Sequence, residues 1–296
     1  MKVFLLVVAA GFVVAGCGEV AAFAGGSGPR EFGRAETAFN IGDNRVAESS
    51  GLAPSYRVSE TYFTHNDSGD SARFFRFDLK GAVKNEYRVT NAKNVDWEDM
   101  ATAKLNGVPY VFVGDIGDNS KRRKSIFVYR VPEPDGTARD VSADATYELT
   151  YPNGPQNAET LIVHPKTGDI YVISKSTGDS QVYVLSSPKA GGKYTLKQLG
   201  KFRVGGFIKE SRRVTGGAFS PDGRHVVVRT YMGAYEFPVK SAGAEWWKEE
   251  PRKIRTNFDN QGEAITYSLS CSELYTTSEF SPCQVSRIAI LGKDAL

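Results

Sequence analysis

Histidine and cysteine are scarce in this 296-residue chain, which has three of each. None of them stands at a zinc-ligand spacing, no Gly-x-Ser-x-Gly elbow is present, and no phosphate-cradling glycine loop opens a helical pattern. Those absences exclude the commonest zinc, serine-nucleophile and P-loop chemistries. An excess of one charge sign is also missing: 37 basic residues face 34 acidic ones, for a formal net charge of +3. No global field therefore argues for nucleic acid. The densest basic run, Lys121-Arg122-Arg123-Lys124, reads as a solvated loop. Amphipathic helical patterns longer than two turns are absent, with Ser241 to Lys248 the one short candidate.

What is present begins with the N-terminus. Met1-Lys2 is a short positive start, and Val3 to Val14 is an apolar run suited to a signal-peptide core and too short to span a bilayer. It ends in Val14-Ala15-Gly16-Cys17, which resembles the lipobox of bacterial lipoproteins. The resemblance implies cleavage after residue 16, acylation of Cys17 and anchoring to the cell membrane on its extracytoplasmic side. A plain secretory signal is the alternative. Residues 17–34, rich in Gly and Ala, read as a flexible tether, and residues 35–296 as one domain. In an exported chain, Cys271 and Cys283 are expected to form a disulfide across a C-terminal hairpin, with two free thiols as the other reading.

From residue 35 onward, short apolar or alternating runs follow one another between Gly, Asp, Asn, Ser and Pro. Five segments repeat a small or acidic residue followed by a short apolar run: they start at Ser50, Glu98, Glu159, Thr215 and Glu263, spaced roughly 48 to 61 residues apart. Each is followed by a second and a third strand pattern. The expected fold is an all-β, five-bladed β-propeller with four antiparallel strands per blade. The fifth unit lacks its fourth strand, and the spare stretch Thr37 to Ile41 is expected to close the ring by supplying it. Phe219-Ser220-Pro221-Asp222-Gly223 resembles the inter-strand turn of WD-type propellers.

First strands line the channel of a propeller, so the five blade starts form a ring of Ser50, Glu98, Glu159, Thr215 and Glu263. Unit charges 4 Å apart repel by about 4 kcal/mol at an effective dielectric of 20, so three carboxylates in one channel need a cation, protons or protein partners. An all-oxygen donor set suits calcium; a polar plug satisfied by backbone amides or Arg is the alternative. The ring resembles that of the soluble calcium-activated nucleotidases (apyrases), five-bladed propellers with a central calcium in a Ser, Glu, Glu, Ser, Glu order, with Thr215 here replacing the second Ser. A broader resemblance, to propeller lipoproteins of actinobacteria, rests on Thr64-His65-Asn66-Asp67-Ser68-Gly69-Asp70, Val95-Asp96-Trp97-Glu98-Asp99, Val113-Gly114-Asp115-Ile116-Gly117-Asp118-Asn119 and Gln261-Gly262-Glu263-Ala264. It implies the fold and the anchor, and brings no activity.

A second ring is expected where second strands end. In it Asp67, Asp115 and Glu279 are acid–base candidates if the protein is an enzyme, and Asn66, Lys175 and Arg229 are candidates to hold a small anionic ligand. Asp70 and Asp118 read as turn residues. His65, His164 and His225 read as strand or core residues, Trp97 as packing between blades, and Trp246 and Trp247 as loop packing. Two functions remain open: a calcium-bearing, monomeric display module for a ligand, cell-envelope component or protein partner, and a calcium-dependent hydrolase of phosphate esters or nucleotides.

Overall fold

The computed structural model describes residues 30–257 and 261–292, so Cys17 and the expected signal peptide lie outside the described residues. The strands form five small sheets. Blade 1 is Ser49–Pro54, Thr61–Asn66, Arg73–Asp78 and Val83–Val89; blade 2 is Trp97–Leu105, Val108–Asp115, Ile126–Pro132 and Ala145–Thr150. Blade 3 is Ala158–Val163, Ile170–Ser174, Ser180–Leu185 and Lys197–Phe202; blade 4 is Val214–Phe219, His225–Thr230, Gly233–Pro238 and Arg252–Ile254. Blade 5 is Gly262–Tyr267, Glu273–Ser278 and Cys283–Leu291, completed by the N-terminal strand Glu36–Ile41, which pairs antiparallel with Cys283–Leu291. The first strands pack side by side around the ring, blade 5 against blade 1, so the five-bladed propeller is closed.

The strand pleat explains the packing. Successive side chains point to opposite faces of a sheet, so each blade feeds two inter-blade cores. Phe74 enters the core shared by blades 1 and 2, and its neighbour Phe75 the core shared by blades 5 and 1. Leu161 faces blade 2 and Ile162 faces blade 4. Burying such side chains contributes roughly 1.5–3 kcal/mol each. The Ser241–Lys248 candidate helix is reduced to one 3-10 turn, Trp246–Lys248, whose tryptophans pack with Phe202 and Phe237 between blades 3 and 4. Trp97 packs between blades 1 and 2.

Two outer edges are covered by the following blade: Asp140–Val141 pairs parallel with the outer strand of blade 1, and Gly192–Thr195 with that of blade 2. The tether boundary needs correction. Glu31–Phe32, placed in the tether by composition, pairs with the end of Cys283–Leu291, and Arg30 ion-pairs with buried Glu236. The disulfide expectation also fails. No disulfide joins Cys271 and Cys283. The strand Glu273–Ser278 that they flank keeps them at opposite ends of blade 5, about 20 Å apart at ~3.3 Å per residue, far beyond disulfide reach.

Candidate functional site

Every first strand carries a β-bulge at its start. The register with the second strand slips between Ser49 and Gly51, Trp97 and Asp99, Ala158 and Thr160, and Val214 and Gly216, and in blade 5 between Gly262 and Ile265. The residues at the slip are Ser50, Glu98, Glu159, Thr215 and Glu263. A bulge frees one side chain from the ladder and re-aims it, and five-fold repetition puts these residues at one structural level. All five are buried.

They do not form one shared ligand set. Ser50 Oγ donates to the Glu98 carbonyl of the next blade, and Thr215 Oγ1 donates to the Gly262 and Glu263 carbonyls at 2.9 and 3.0 Å. The two hydroxyls tie neighbouring blades together. Glu159 is ion-paired with Lys175, whose ammonium also sits 5.0 Å from the Tyr231 ring centre. Burial opposes the charge on Lys175, but Glu159 outweighs it and raises the lysine pKa.

Glu98 joins a different group. One carboxylate oxygen each from Asp67, Asp96 and Glu98 lies within 4.8 Å of the others. Asp67 follows the second strand of blade 1, while Asp96 and Glu98 bracket Trp97 at the start of blade 2. The set therefore draws on the two neighbouring blades 1 and 2. Burial, reinforced by Asp67, pushes Asp96 up to about 6. Burial, with Glu159, Asp67 and Asp96, holds Glu98 well above the usual carboxylate range. Burial and Glu159 do the same for Glu263. Glu279 is raised by burial and by Asp67 and Glu48. Gly117 closes the back of the set: a Cβ there would overlap Glu98 Oε1 and Asp96 Oδ2. Three hard oxygen donors, backed by a residue without a side chain, suit part of the oxygen shell of a calcium ion.

Asp115 stands behind the set as support. Its Oδ1 accepts the Asp96 backbone N–H at 3.0 Å and Arg123 Nη1 at 2.8 Å, and it is fully buried. It cannot serve as a base toward water. Asn66 is likewise consumed: its Oδ1 accepts the Ala47 and Glu48 N–H groups, and its amide donates to the Arg45 carbonyl and to Asp70. Arg229 is buried between blades 4 and 5, where it donates to the Ala264 and Thr277 carbonyls. Asn66 and Arg229 are therefore tied into the scaffold by these bonds.

Strand register explains the difference. Asn66, Asp115, Ser174, Thr230 and Ser278 are the equivalent last paired residues of the second strands. The positions that follow them are Asp67, Ile116, Lys175, Tyr231 and Glu279. Asp67, Lys175, Tyr231 and Glu279 are part-exposed at the mouth, while Ile116 is buried in the core between blades 2 and 3; Tyr231, and Asp96 at the start of blade 2, are the residues that the sequence pattern missed. Asp99, one residue beyond the bulge, reaches across the channel: its Oδ2 accepts the Leu161 and Gly217 N–H groups of blades 3 and 4. His65 packs edge-on against Trp97, and His164 against Phe219.

The fold has solved counterparts. A gluconolactonase from Xanthomonas campestris aligns with a TM-score of 0.50 and 12% identity, over 90% of this chain and 99% of its own. A Thermus thermophilus protein provisionally described as an oxidoreductase (glucose dehydrogenase) aligns at 0.48 and 13% identity, over 86% and 99%. No family model and no curated sequence matches the chain. The first of these likenesses supports the propeller. Neither of the two proteins is an apyrase, and the nucleotidase resemblance gains nothing from them.

Proposed function

We propose that this protein is an exported lipoprotein, acylated at Cys17, whose propeller binds calcium through Asp67, Asp96 and Glu98 and displays that mouth to a ligand, a cell-envelope component or a protein partner. The convergence of three carboxylates against Gly117 carries this reading. The display function is favoured over the hydrolytic one because the candidate anion-holding cations are already engaged: Lys175 by Glu159 and Arg229 by backbone carbonyls. Asp67 and Glu279 remain as the acid–base candidates of the hydrolytic reading, and Asp115 leaves it. A bound calcium would supply positive charge and polarisation to a group at the mouth; this chain's residues hold the site and exclude water beneath it.

The test is thermal melting in calcium and in EDTA. Calcium should raise the melting temperature of the wild type, and Asp96→Asn should abolish most of that rise. Equal melting of the wild type with and without EDTA would remove the cation site.

A further inference from the structure

The polypeptide joins the propeller at the end remote from the mouth. Glu31 pairs with Leu291 and Phe32 with Ile290, the last residues of the third strand of blade 5. That strand starts at Cys283, beside Glu279 on the mouth side, and runs away from it. Arg30 therefore stands on the face opposite Asp67, Asp96 and Glu98. The 14 residues Cys17 to Arg30 reach at most about 45 Å even when fully extended.

From that exit a cleft runs along the flank, between the N-terminal segment and the edge strand Arg252–Ile254 of blade 4, whose Ile254 pairs with Ala234 and so carries Lys253 and Arg255 toward the mouth end; Arg30, Glu31, Arg34, Arg252, Lys253 and Arg255 line it. Arg30 is committed to buried Glu236, 2.7 Å away, and Arg252 lies 3.8 Å from the same carboxylate. Arg34, Lys253 and Arg255 are exposed, and among the described residues none of them has an ion pair. We propose that this basic cleft docks on the anionic phospholipid headgroups of the bilayer, so that the propeller rests on the flank of blades 4 and 5 with its mouth opening to the side. The anchor rests on acylation at Cys17; the headgroup contact does not. Clustered lysines and arginines close to an anchor are attracted to an anionic leaflet, and a lipid chain plus a basic surface holds more firmly than either alone.

The experiment uses the chain from Gly18 onward, which carries no lipid and keeps every strand, all within residues 31–291. It is sedimented with vesicles of phosphatidylglycerol or of phosphatidylcholine. Binding to phosphatidylglycerol alone, lost at high salt and weakened at least about tenfold in the exposed-site variant Arg34→Glu/Lys253→Glu/Arg255→Glu, is the expected result. No binding to phosphatidylglycerol, or binding untouched by the triple change in a variant with wild-type melting, overturns the proposal. Displacement by millimolar inorganic phosphate would assign the cleft to a free anion and overturn it too. Mass measurement of the cell-derived protein tests the anchor separately: an unacylated Cys17 with intact vesicle binding removes the anchor and keeps the lipid contact.

Discussion

Gly117 lies so close to Glu98 that a single added carbon would overlap the Glu98 carboxylate. Real Cβ atoms do not approach heavy atoms so closely, and Glu98 is buried with little room to turn. Gly117→Ala should therefore leave the strands intact and push Glu98 and Asp96 out of convergence. Calorimetric titration should show calcium affinity falling at least about tenfold, an effect of ~1.4 kcal/mol, with the far-UV spectrum unchanged. An alanine variant that binds as the wild type does would separate Gly117 from the site.

Acid should stabilise the metal-free protein over a limited range. Asp96 is raised to about 6, and Glu98, Glu263 and Glu279 are raised as well, each first by burial. A carboxyl whose folded pKa exceeds its unfolded one gives stability that is present below the unfolded value and lost as pH rises through the folded value. In EDTA, the melting temperature should climb as pH falls from about 7.5 to about 5. It should then drop where carboxylates lowered by arginines, such as Asp43 and Asp70, take up protons. Calcium competes with the same protons, so its stabilising increment should shrink over that interval. A calcium increment that is constant from pH 7.5 to 5 would place the ion elsewhere.

Much of the fold was legible because a propeller repeats its constraints. Five blade starts carried one signature, and the structure gives each the same bulge, so Ser50 and Thr215 were aligned with the three glutamates although their hydroxyls serve neighbouring carbonyls. The closing strand was legible because blade 5 was one strand short. The second ring was harder. Its members depend on where each second strand stops pairing, and one residue of register changes which side chain meets the mouth. Arg229 and Asn66 fell on the scaffold side of that boundary and Tyr231 beyond it. Asp96 stood in plain view in Val95-Asp96-Trp97-Glu98-Asp99, yet only the three-dimensional closeness of blade 1's Asp67 turns it into part of a donor set.

The cysteines make a clear statement about redox. Cys283 is buried at the mouth end of blade 5, Cys271 lies in the turn at its other end, and no disulfide joins them. Reducing agent should leave the melting temperature unchanged, and the denatured chain from Gly18 onward should titrate as two thiols. A drop of several degrees in dithiothreitol would reveal a bond that this arrangement of strands forbids.

Lys175 tests how the charges at the bulge ring are held. It is the cation paired with Glu159, and it lies within electrostatic reach of Glu98 and Glu263, whose carboxyls it draws downward against burial. Lys175→Met leaves Glu159 buried without its partner. Breaking a buried pair by removing one member costs roughly 3–5 kcal/mol, but Glu159 can escape part of that by taking a proton. A loss of about 2–3 kcal/mol in urea unfolding at neutral pH follows, smaller at pH 5 where the proton is readily supplied. Adding Glu159→Gln removes the orphaned charge and should recover most of the loss. If the double variant is as unstable as the sum of the two single changes, the pair is not coupled, and Lys175 contributes through its stem against Tyr231 instead.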